Sequence, residues 1–247
     1  MDALTWISAA VALASAATTA FLGYWQQRRI VAVERLNYMN QYGASLAWAA
    51  FDLQSRLYNI LYGRYLAFFL TQGTEEDAEF ARRSTVFVIA EYLGWVEILR
   101  RDVQFLDLGS SGPNRRVMTQ LSQVGETFNR STRRRDELRL FRIQQRAIGS
   151  VMIHPDSEPG RRRCLDYAEF CDGLDGDDRF KAWFSELLTD VDAIAADMAP
   201  AEPRLRSLQR QLVELVDLLD PDAVRFPQFH RRVFEDEEES TALSETW

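Results

Sequence analysis

Cysteine, histidine and lysine are nearly missing from this sequence, and each shortage removes a class of function. The two cysteines, Cys164 and Cys171, are too few for a disulfide framework and fit a reducing compartment. On one helix their spacing puts them two turns apart, about 10 Å, too far for a shared metal or a disulfide. Both are read as buried structural thiols. The two histidines, His154 and His230, lie in loop-like stretches beside prolines or arginines. That removes the Glu-x-x-His pairs of a bundle-core di-iron site and leaves a Ser-His-Asp triad without a well-placed base. Lys181 is the only lysine, so the basic residues are nearly all arginine. With the alanine-rich stretches, this composition points to a GC-rich, bacterial genome.

Motifs are equally scarce. There is no H-E-x-x-H, C-x-x-C, G-x-S-x-G or P-loop. No cofactor and no metal are therefore expected. Asp172–Asp178 resembles a calcium loop only superficially, because the position that demands glycine is Phe180. Capping of a following helix by Asp177 or Asp178 explains the run better. The net charge of −8 argues against nucleic acid as a partner. With 12 glycines and 7 prolines in the chain, long helices are permitted.

What is present begins with an uncharged stretch from Ala3 to Gln27. Trp6 lies near one end and Tyr24 and Trp25 near the other. The two tryptophans are about 28 Å apart along a helix, close to the thickness of a bilayer core. Arg28 and Arg29 follow, whereas only Asp2 precedes. The pattern predicts a single transmembrane helix crossing over residues 3–25, within an anchor of residues 1–29. Its anchors are Trp6, Tyr24, Trp25, Arg28 and Arg29, and its N-terminus lies outside the inner membrane. A cleaved signal would want a basic region before the apolar run. Ser8, Ala12, Ala16 and Ala20 recur every fourth residue, a spacing that lets helices approach closely, as in an oligomer.

The remainder is expected to form a cytoplasmic antiparallel helical bundle over residues 30–225, making the chain all-α. Apolar residues at three-and-four spacing predict helices over about 30–70, 75–108, 114–150, 178–198 and 203–219, with a short one at 162–171. A break near Ser131 and Thr132 is expected inside the third. Thr74 with Asp77 is placed to cap the second. Residues 226–247 carry the run Glu235–Glu239 and are read as a disordered acidic tail.

Two features invite chemistry. The 114–150 region holds nine arginines against Glu126, Asp136 and Glu137. Arg133, Arg134, Arg135 and Arg139 are candidates to touch membrane lipid, a protein partner or the acidic tail. Asp52 and Glu97 have arginines one turn away, but Glu91 has only Phe87, Val88, Gly94 and Trp95 around it. It is the single weak catalytic candidate. If it faces the core it needs Arg56 or Arg64 from another helix, or it keeps its proton.

The function these features suggest is a membrane-anchored interaction or scaffold module without catalytic activity, binding a protein partner or forming a homo-oligomer. One alternative is an oligomerising membrane sensor or effector signalled through its bundle. The other is an enzyme with an unrecognised site near Glu91.

Overall fold

The computed structural model describes residues 3–103, 112–131 and 138–233, with side chains excepted at 3–14, 17, 27–41, 103, 112 and 113. The chain is all-α, and among the described residues there is no strand, only an isolated bridge between Ile153 and Cys164. It divides into two compact units, Met1–Gln41 and Tyr42–Trp247.

The first unit contains one element, the N-terminal part of helix α1 (Ala3–Leu61). The expected transmembrane helix is not supported here: among the described residues no helix is long and apolar enough to cross a membrane. The expected inner-membrane, single-pass topology is therefore not supported either. The physical reason lies in composition. The described side chains from Ser15 to Gln26 mix Phe21, Leu22, Tyr24 and Trp25 with Ser15, Thr18, Thr19, Gly23 and Gln26 and with the small Ala16 and Ala20. Lack of charge is not hydrophobicity: a bilayer rewards buried hydrocarbon area, and serine, threonine, glycine, glutamine and alanine supply little.

The second unit is a helical bundle. Within it α1 buries Tyr42, Leu46, Leu53, Leu57 and Ile60, the predicted stripe. The helix stops at Leu61 rather than near residue 70. Gly63 closes on the Asn59 carbonyl, where a Cβ would sit at 2.9 Å, and Arg64 adopts a left-handed φ of 49°. The chain turns there into α2 (Tyr65–Thr71).

Helix α3 (Glu75–Val103) starts where Thr74 and Asp77 cap each other: each side chain accepts the other residue's backbone N–H at 3.1 Å. Helices α2, α5 (Arg142–Val151), α6 (Tyr167–Gly176) and α7 (Asp178–Ala196) all pack against it. Helix α4 (Gly112–Asn129) lies instead along α8 (Glu202–Leu219). Gln120 Nε2 donates to the Gln211 carbonyl at 2.8 Å, and Thr127 Oγ1 donates to Gln211 Oε1 at 2.9 Å, joining the two. The expected break in the third region separates α4 from α5 (Arg142–Val151). The chain re-enters at Leu138, whose left-handed φ of 54° is held as its N–H donates to the buried Asp190 carboxylate at 2.8 Å. That aspartate belongs to α7 (Asp178–Ala196), which follows α6 (Tyr167–Gly176). Asp177 caps α7 by accepting from Arg179 N–H and Phe180 N–H, as the aspartate run predicts.

After α8 the chain folds back rather than leaving. Asp220 accepts the N–H groups of Val224, Arg225 and Phe226, and pairs with Arg231 at 2.6 Å. Both side chains are almost completely buried, at 3% and 1% exposure. Phe226 stacks on Phe51 at 4.3 Å and meets the edge of Trp48. The run Glu235–Glu239 lies outside the described residues.

Helix α5 approaches α3 closely at Gly149. A Cβ at Gly149 would lie 2.5 Å from the Leu93 carbonyl oxygen and 2.8 Å from Glu97 Cβ. Helix propensity alone favours alanine over a helical glycine by about 1 kcal/mol. Here the contact reverses the sign: Gly149→Ala is expected to destabilise the protein by about 2–3 kcal/mol. A urea titration followed by circular dichroism measures it, and an unchanged or raised midpoint would refute the contact.

Candidate functional site

Glu91 lies on α3, one turn before Trp95 and facing Asp52 of α1. Gly94, on the next turn, opens the space beside it: a Cβ there would fall 2.5 Å from Cys164 Sγ and 3.0 Å from Met152 Cβ. The Cys164 thiol fills that space and donates to the Glu91 backbone carbonyl at 3.8 Å.

Burial pushes the Glu91 carboxyl up to about 7, the nearby Asp52 charge adds to the push, and a hydrogen bond with Trp95 partly offsets it. Asp52 is also raised, by the protein crowded over its carboxyl although the residue is exposed as a whole, and Arg56 acts against this. Burial raises the Cys164 thiol, with Glu91 adding to it, so this sulfur stays protonated.

The arginines expected to serve Glu91 point elsewhere. Arg56 donates to Ser84 Oγ and Thr85 Oγ1, both at 3.1 Å, and lies 4.4 Å over the Tyr65 ring. Arg64 lines a cavity of about 120 Å³ with Ile60, Leu66 and Ile194. Among the described residues Glu91 has no ion-pair partner. Glu97 is the contrast. Burial would raise it too, but hydrogen bonds from Arg100 and Arg101 hold it below the usual range.

Sequence reasoning missed a second polar cluster. The Asp102 carboxylate accepts from Tyr42 Oη at 2.8 Å and Gly160 N–H at 3.2 Å, and pairs with the Arg162 guanidinium. It ties α1, α3 and the loop before α6 together. Its members are 58 and 120 residues apart for the pairs Gly160–Asp102 and Arg162–Tyr42. No local spacing announces such a cluster.

The other predicted residues do not converge. Tyr24 and Trp25 are exposed on α1, as are Ala16 and Ala20. The side chains of Trp6, Ser8, Ala12, Arg28 and Arg29 lie outside those described, as do Arg133, Arg134 and Arg135. Arg139 turns back onto its own segment, 4.7 Å over the Phe141 ring and 3.3 Å from Ser131 Oγ. Both cysteines are free, but only Cys164 is buried; Cys171 is half-buried. Among the described residues no three carboxylates, histidines or cysteines stand together to hold a metal ion. Comparison with protein-family models, with curated proteins and with solved structures gives no match.

The Glu91 environment has a pH signature. Between about 4.5 and about 7 the folded chain keeps a proton that the unfolded chain has released. This contribution is fully present below about 4.5 and is lost as pH rises through about 7. Glu91→Gln removes the loss. The variant should gain about 2 kcal/mol on the wild type between pH 5 and pH 8, allowing for partial exposure. Paired denaturant titrations at the two pH values check this, and parallel behaviour of both proteins would refute it.

Proposed function

We propose that this chain is a helical interaction module that docks against another helix through the N-terminal stretch of α1. The observation that carries this reading is the surface of the first unit. That unit is a length of single helix, and it presents Phe21 at 63% exposure and Leu22 at 60%. Tyr24 and Trp25 are exposed beside them. One helix has no interior in which to bury such side chains, so apolar surface of this kind is stabilised by packing against a second helix. A clustered apolar patch is also a common mark of a protein-binding site.

A second reading, an acid at Glu91 that senses protons or acts on a substrate, has its elevated carboxyl in its favour. Geometry weighs less for it. Neither the cavity beside α2 and α7 nor the groove between α4 and α8 includes Glu91.

Chemical crosslinking of the full-length chain at native expression, read by mass spectrometry, tests the binding role. Crosslinks from the stretch around Phe21 to a second copy or to a foreign protein are expected, and Phe21→Asp with Leu22→Asp should abolish them. Crosslinks that survive the double substitution, or none from this stretch, would overturn the proposal.

A further inference from the structure

The segment that follows α8 is fastened to the bundle at two points. Of residues 224–230 only Phe226 is buried, and Arg231 follows it inside. Phe226 sits against Phe51 and Trp48 of α1. The Arg231 guanidinium meets Asp217 at 2.7 Å and Asp220 at 2.6 Å, at the C-terminal end of α8. Two buried amides hold the backbone nearby: Gln54 Nε2 of α1 donates to the His230 carbonyl at 3.2 Å, and Gln209 Nε2 of α8 to the Arg232 carbonyl at 2.8 Å. Helices α1 and α8 thus form a slot with an aromatic seat, an acidic seat and amide donors. The strap 224–232 fills it with a phenylalanine and, five residues on, an arginine.

The join between α8 and this strap is short and strained. Pro221 cannot continue a helix, and both it and Asp222 are exposed. Ala223 has a left-handed φ of 51°, which costs any residue with a Cβ and suits glycine. Its N–H closes the turn by donating to the Asp220 carbonyl at 3.1 Å. Extending residues 221–223 loses that bond and relieves the strain. The strap contacts from Val224 onward can then be remade unchanged in the slot of another molecule. A second copy of this chain carries a slot whose two seats match this strap, and no new surface is needed for such an exchange.

We propose that the strap is exchanged between two copies of this chain: residues 224–232 of one fill the α1–α8 slot of the other, reciprocally, with residues 221–223 as the hinge. Three extended residues span up to about 10 Å, so the exchange sets the C-terminal ends of two α8 helices side by side. Each Asp220 then receives the N–H groups and the arginine of its partner's strap in place of its own. The inference stands independently of the role proposed for the N-terminal stretch of α1.

Mixed single-cysteine variants of the full-length chain test it. The Ser55 hydroxyl and the His230 carbonyl both lie within 3.2 Å of Gln54 Nε2, which puts positions 55 and 230 within reach of each other across the slot. One preparation carries Ser55→Cys and the other His230→Cys, each with Cys171→Ser. Neither can close this disulfide within one chain. Concentrated together and gently oxidised, the two should join at these positions about tenfold faster than a control in which Thr189→Cys on α7 replaces Ser55→Cys, as read by mass spectrometry. Ala223→Gly, which fits the left-handed turn, should lower the yield about tenfold, and Ala223→Pro, whose ring forbids that φ, should raise it. The glycine variant keeps the test decisive even where the proline variant fails to fold. Joining no faster than in the control, or a yield that Ala223→Gly leaves unchanged, would overturn the exchange.

Discussion

The approach of α5 onto the backbone of α3 is the constraint around which the second unit is arranged. Where Gly149 meets the Leu93 carbonyl, the two helices are closer than any side chain would permit. Helix α3 also accepts α2, α6 and α7, so its surface is almost fully committed. The close contact brings Met152 and Cys164 over Gly94. The loop that carries Cys164 is in turn held by Asp102 at the far end of α3. One small residue thus sets the register of a helix, a loop and a polar cluster together.

Among the described residues, buried carboxylates are met by donors, and Glu91 departs from this. Glu97 lies against Arg100 and Arg101, Asp102 against Arg162, and Asp220 against Arg231. Asp190 takes a backbone N–H. In each case donors replace the water that burial removes, which is what a low-dielectric interior demands. Glu91 has only the Trp95 hydrogen bond, and its neighbour across the helix interface, Asp52, carries the wrong sign. The surrounding packing holds this carboxyl in place despite its preference for being neutral.

Much of the bundle is legible in the sequence, because helical periodicity and caps are local properties. The stripe Leu46, Leu53, Leu57 and Ile60 and the Thr74–Asp77 cap need no tertiary information. The turn at Gly63 and Arg64 escaped because aromatic residues on both sides continue an apolar pattern through it. Tyr42 reads as one more apolar residue on its stripe, yet its hydroxyl serves Asp102, 60 residues away. The membrane span was over-read because an absence of charge is easier to see in a sequence than the dilution of hydrocarbon by serine, threonine and glycine.

The Asp220–Arg231 pair has a consequence for how the chain opens. Its two charges are buried at 3% and 1% exposure, so parting them leaves each without the donors or acceptor that replaced water. The same aspartate holds the N–H groups of Val224, Arg225 and Phe226, and Phe226 lies stacked on Phe51. Residues 221–231 are therefore released as one cooperative unit rather than by fraying one residue at a time.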